Sequence, residues 1–150
     1  MALLREMAMS QVRFVERQEF ARKYTQAWCS QDPTAVAAFY AAEGSLTIND
    51  GAPAVGRARI AESARSFMAA FPDLAVEMNE LVDLGGDRAI FHWTLHGHNT
   101  GTGGTGNPVR ITGFEEWQFG ADGLVLHSLG HYDSAEYDRQ ISGRGERSAG

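Results

Sequence analysis

Apolar and polar positions along the chain change period several times, and each change marks an element. From Arg88 to His98, Ala89, Phe91, Trp93 and Leu95 alternate with Ile90, His92, Thr94 and His96, the two-residue period of a strand. The same period returns over Val109–Phe119, and the glycine- and threonine-rich segment from Gly97 to Pro108 separates the two runs. The pair predicts a long hairpin with a flexible tip. Upstream the period is helical: Phe20, Tyr24, Ala27 and Trp28 fall on one face of a helix from an N-cap at Ser10 to about Cys29, with Met1–Met9 loosely ordered. Asp32-Pro33 restarts a short helix through about Tyr40, with Val36, Phe39 and Tyr40 inward. Glu43–Asn49 reads as a strand, and Ile60, Ala64, Phe67, Met68 and Phe71 mark a helix from Arg57 that Pro72 stops. Leu74, Val76 and Met78 open another strand, Gly120–Gly123 is a turn, Leu124–Tyr132 is the last strand, and 142–150 form a flexible tail.

Helices followed by a run of consecutive strands predict an α+β domain, with about three N-terminal helices packed on one face of an antiparallel meander. Length adds that 1–150 is one domain, ordered over about 10–141, since 150 residues with 43% hydrophobic content bury a single core. Charge changes the expected partner. A net charge of −6 without a lysine- or arginine-rich run points away from nucleic acid and membrane surfaces and toward a small apolar molecule. The single cysteine, Cys29, excludes an internal disulfide and, with no long apolar run, suits a cytoplasmic protein.

Glu115 is the one charged residue on the apolar face formed by Val109, Ile111, Gly113, Trp117 and Phe119. Desolvation there raises a carboxyl pKa and leaves it able to donate a hydrogen bond, unless a bulge turns it to solvent or an arginine pairs with it. His96 and His98 lie two apart and could share a metal from one face, but no third ligand is suitably spaced, so neither metal nor organic cofactor is expected. Gly101–Gly106 fits a dinucleotide-binding glycine pattern literally, yet it lies between strands instead of opening a helix, which makes it a hairpin tip.

Phe71-Pro72-Asp73-Leu74, Gly86-Asp87-Arg88, Trp93 through Gly101, Thr112-Gly113-Phe114-Glu115 and Asp122-Gly123-Leu124 resemble, in type and order, the SnoaL-like polyketide cyclases of the nuclear transport factor two and ketosteroid isomerase superfamily. The resemblance covers roughly residues 14 to 141. It implies a cone-shaped half-barrel, a strongly curved sheet closed by helices around a deep apolar pocket. It places Glu115 and Tyr24 where ketosteroid isomerases hold an oxyanion, and Asp133 where the cyclases have a general acid/base. The isomerase's base has no counterpart, because Ile48, with Asn49 beside it, takes its place.

The leading expectation is therefore a cofactor-independent enzyme for a small apolar carbonyl compound, a lyase or isomerase acting by aldol-type cyclisation or enolisation. Asp133, Glu115, Tyr24, His131 and His98 are its candidate catalytic residues. His131 shares a strand face with Asp133, or is simply a half-exposed polar residue. Trp28, Phe39, Tyr40, Asn49, Phe67, Met68, Trp93 and Trp117 are candidate substrate contacts. The alternatives are a ligand-binding domain without catalysis, an epoxide hydrolase-like enzyme, which needs an arginine between two aspartates, and a ketosteroid isomerase-like one. A homodimer through the outer sheet face is expected, with Ile90 on that face.

Overall fold

Helical and strand periods that occupy separate stretches of chain must bury their apolar faces against one another, and this sets the layers. In the computed structural model, which describes residues 2–143, the order is α1 (Ala2–Cys29), α2 (Pro33–Ala37), β1 (Tyr40–Ile48), β2 (Ala54–Val55), α3 (Arg57–Ala70), β3 (Ala75–Asp83), β4 (Arg88–His98), β5 (Pro108–Phe119), β6 (Val125–Tyr132) and α4 (Ser134–Ser142). The six strands form one curved open sheet in the order β2-β1-β6-β5-β4-β3. The meander over β3 to β6 is antiparallel, as the pattern predicts. β1 corrects the expectation of a wholly antiparallel sheet, because it pairs parallel with β6, Leu46 opposite Ser128 and Ile48 opposite Gly130.

The α+β layering follows from parity. Phe91, Leu95, Ile111, Trp117 and Val125 on the inner sheet face pack against Ala21, Tyr24 and Trp28 of α1 and Ile60, Ala64 and Met68 of α3. Trp117, Tyr24, Tyr40, Phe71 and Phe91 are the largest fully buried side chains. The Phe91 and Trp117 rings stack at 5.0 Å, and Tyr24 meets Trp117 edge-on at 5.2 Å. Such pairs add about 0.5–1.5 kcal/mol each beyond area burial.

Several boundaries differ from the sequence reading. α1 begins at Ala2, so Ser10 is interior to the helix instead of capping it, and the expected loose segment up to Met9 is helical from Ala2 onward. α2 stops at Ala37, and Tyr40 opens β1. The hairpin tip is anchored: Gly101 N–H and the Asn99 amide both donate to the Ala70 carbonyl at 3.2 Å, and a Cβ at Gly101 would stand 1.9 Å from the Ala69 carbonyl oxygen. For α4 the sequence offers only an alternative to the acid/base role of Asp133, that of a cap for a segment beginning at Ser134, and names no helix there. Ser142, expected in the tail, is its last residue, and 144–150 lie outside the described residues.

α4 starts because Asp133, in extended conformation, accepts the Glu136 N–H at 3.0 Å. It is held at its far end by Thr105 Oγ1 and Asn107 Nδ2, both donating to the Ile141 carbonyl. Asp133→Ala is expected to lower stability by about 0.5–2 kcal/mol and to raise amide exchange in α4. Asp133→Asn, which keeps a capping oxygen, should behave like the parent in thermal melts; equal loss in both variants would show that the cap is not what the aspartate supplies.

Candidate active site

The inner sheet face, α1, α3 and α4 enclose an apolar cavity that leaves about 60 Å³ open to the centres of water-sized atoms. A single water needs roughly 10–15 Å³ by that measure, so the space takes a small organic group. Leu46, Ile48, Val76, Leu95 and Ile111 form its aliphatic wall, and six aromatic side chains, Trp28, Phe67, Phe91, Trp93, Tyr132 and Tyr137, form the remainder with Gly130 and Glu115. Among the described residues Glu115 is the one charged side chain lining it.

Strand parity on β5 turns Glu115 inward, opposite Gly130 on β6 and Phe91 on β4, and leaves it 7% exposed. Among the described residues no arginine meets it, and no bulge turns it out. Four donors converge on Oε1: Ser128 Oγ at 2.7 Å, Trp117 Nε1 at 2.9 Å, Tyr24 OH at 3.1 Å and Tyr40 OH at 3.2 Å. The tyrosine hydroxyls lie 2.9 Å from each other. Oε2 shares the one Tyr24 hydroxyl proton with Oε1, at 3.2 Å, and has no other partner among the described residues, so it is the oxygen with bonding capacity left.

Burial pushes the Glu115 carboxyl above its ordinary value, and the hydrogen bonds from Trp117, Ser128, Tyr24 and Tyr40 pull it partly back. Tyr24 and Tyr40 are raised well above theirs, by burial first and by the nearby Glu115 charge second, and so stay protonated. A neutral Glu115 carries its proton on Oε2, because Oε1 is already crowded with donors. Tyr132 and Tyr137, 5.4 Å apart between ring centres, are also raised by burial, Tyr137 to about 12.

The structure thus brings Glu115, Tyr24, Tyr40 and Trp117 together, with Trp28, Phe67 and Trp93 at the cavity. Tyr24 and Tyr40 do not line it. Their hydroxyls lie within hydrogen-bond distance of Glu115 and of each other, so they position the carboxyl. Phe39, Met68 and Trp117 are core, since neighbouring rings or helices fill the space before them. Asn49 does not reach the cavity either, because its Oδ1 accepts the Tyr132 N–H at 2.9 Å.

Asp133 and both candidate histidines are corrections. Asp133 is exposed and caps α4, and it borders a hollow with His92, Phe114 and His131, outward residues of β4, β5 and β6. His131 does share that side, where Nε2 meets Glu116 Oε2 at 2.7 Å and the ring stacks on Phe114 at 4.7 Å. His98 is outward at the end of β4 and bonds Asp73 through Nδ1 at 2.7 Å. His96 pairs with Glu77 at 3.2 Å. Cys29 closes α1 and exchanges hydrogen bonds with the Val76 backbone. Sequence reasoning missed Phe91, Ser128, Tyr132, Tyr137, Gly130 and the aliphatic wall; parity on β6 was the available signal for Ser128, Gly130 and Tyr132.

The model of the SnoaL-like domain matches residues 21–128, most of the chain. The chain belongs to the SnoaL-like domain family. No curated protein sequence matches it. Solved structures similar to this SnoaL-like domain include a hypothetical protein with a ketosteroid isomerase-like fold from Catenulispora acidiphila, in complex with trimethylamine (18% identity, 83% of this chain and 92% of that one, TM-score 0.73). A putative hydroxylase from Streptomyces galilaeus is also similar (21%, 85% and 82%, TM-score 0.72), as is a putative SnoaL-like polyketide cyclase from Jannaschia (15%, 83% and 92%, TM-score 0.67). At these identities the likeness shows the shared fold, a curved open sheet packed against helices, and leaves the chemistry to the residues. No helix among the described residues is long and apolar enough to cross a membrane.

A group whose pKa is raised in the folded state adds stability below its unfolded value, here 4.5, and loses that contribution as pH rises through the folded value. The melting temperature of the parent relative to Glu115→Gln should therefore be highest in acid and fall with rising pH. A difference that stays constant with pH would mean that Glu115 is not shifted by burial.

Proposed function

We propose that this SnoaL-like domain is a cofactor-independent acid–base enzyme for a small apolar carbonyl compound, with Glu115 as the acid. The observation that carries this reading is a carboxyl saturated with donors at Oε1 and left with capacity at Oε2, on the wall of an apolar cavity. A ligand carbonyl at Oε2 accepts the Glu115 proton in a hydrogen bond. Negative charge develops on that oxygen as a solvent water takes the carbon-bound proton in enolisation or aldol closure, and Glu115, a preorganised donor on an apolar wall, stabilises it. Tyr24, Tyr40, Trp117 and Ser128 keep the donor aimed without reorganisation during the reaction.

One observation favours a second reading, a binding domain without turnover. Among the described residues, the titratable side chains lining the cavity besides Glu115 are Tyr132 and Tyr137, both held protonated by burial, which suits them to donate to a ligand and not to take a carbon-bound proton. Exchange of the acetophenone methyl protons with deuterated water, followed by NMR, separates the readings. The enzyme reading expects acceleration that is full in acid and declines as pH rises through the Glu115 pKa. In Glu115→Gln, whose amide is a weaker donor, the rate should fall by up to about 10²–10³ and lose this pH dependence. Binding of acetophenone with no exchange above the solution rate would establish the binding domain instead.

We also propose that two copies pair through the outer sheet face. Leu129 is exposed there, and Ile90 and Phe114 are half-buried, so the face offers apolar surface beside its polar residues. Sedimentation is expected to give a dimer at micromolar concentration, and Leu129→Glu should shift it to monomer; a monomeric parent would overturn the pairing.

A further inference from the structure

Two glycines face inward on neighbouring strands of the site, and their surroundings differ. A Cβ at Gly113 would stand 2.4 Å from Trp93 Cζ2 and 2.4 Å from the His131 carbonyl oxygen, so the indole of Trp93 already occupies the space its missing side chain leaves. A Cβ at Gly130 would stand 3.6 Å from the Thr47 carbonyl oxygen, 3.7 Å from Glu115 Cγ and 4.0 Å from Ile48 Cγ1, all ordinary contacts. Gly130 also lines the cavity, and its φ is not positive. Nothing in the backbone or packing requires glycine there. What glycine does at 130 is leave a notch beside Glu115, between that side chain and Ile48.

We propose that Gly130 sets which ligands reach Glu115, its notch admitting the edge of a planar, conjugated carbonyl compound in preference to a saturated, puckered one. The proposal rests on the reading of Glu115 as the group that meets the carbonyl. The walls agree with it: the six aromatic side chains around the cavity offer ring faces and edges that pack on a flat π system. A flat ring lying in the notch brings its carbonyl oxygen alongside the carboxyl. A puckered ring with axial hydrogens is thicker and meets the floor first.

Acetophenone and its saturated counterpart, cyclohexyl methyl ketone, carry the same acetyl group and serve as probes, with affinity followed by tryptophan fluorescence. The parent is expected to bind acetophenone at least tenfold more tightly. Gly130→Val should weaken acetophenone binding at least tenfold, because its Cβ already reaches contact distance with Glu115 and Ile48 and its two further methyls take up the notch. Gly130→Ala, whose methyl meets its neighbours at ordinary contact distances, should fall between and carries the test if the valine variant does not fold. Folded Gly130 variants that bind acetophenone like the parent would overturn the proposal, as would equal affinity of the parent for the two ketones. The Glu115 reading fails separately, if parent affinity does not weaken with rising pH or if Glu115→Gln keeps the same pH dependence. A parent that binds neither ketone overturns both.

Discussion

A carboxyl group removed from water must be neutral or fully supplied with donors, and this requirement organises the interior. Burying an ionised carboxylate costs several kcal/mol even after relaxation, and each donor left unpaired around it would cost about 1–3 kcal/mol more. Glu115 meets the requirement with hydroxyls and an indole N–H from α1, β1, β5 and β6, so one side chain joins the first helix to three strands of the sheet. Tyrosine and tryptophan are suited to the task because each places a single donor at the tip of a large apolar body. The aromatic core and the polar network are thus the same set of residues.

The cavity follows from how that core ends. Around Glu115 the inner face is packed tightly on the side of Trp117 and Tyr24, while on the other side Gly130 leaves the floor open toward Ile48 and Tyr132. α4 then lies across the end of the cavity, with Tyr137 against Phe67, Phe71 and Tyr132. This helix buries none of its residues fully and depends on its Asp133 cap and on the tip of the β4–β5 hairpin for its position. The same aspartate cannot both satisfy the first turn of α4 and point into the cavity. The site is consequently built around one carboxyl with two tyrosine hydroxyls near it, and all five histidines stand outside the cavity lining.

The fold class was legible because hydrophobic period is a local property: runs of two and of about 3.6 set strand and helix, and their segregation set the α+β layering. Glu115 was legible for the same reason, as a charge out of phase with the apolar face of β5. α4 was not, because its apolar pair Tyr137 and Ile141 spans a single turn and its strongest signal, Asp133 ahead of Ser134, is equally that of a reactive carboxylate. The parallel pairing of β1 with β6 was hidden as well, since it joins segments far apart in the chain and no turn between them fixes register.

The linear order of residues therefore dictates which side chains face inward and that a carboxyl is buried among aromatic rings. It does not distinguish the inward residues that fill space from those that border a void. Phe39, Met68 and Trp117 have the same inward phase as Trp28, Phe67 and Trp93, yet only the latter reach the cavity. A void is a shortage of atoms contributed jointly by several elements, so it exists only once helices and strands have taken their distances from one another. Those distances came from packing between elements, which also made a notch of Gly130, filled the space at Gly113 with Trp93, and turned Asp133 from the cavity to the helix it caps.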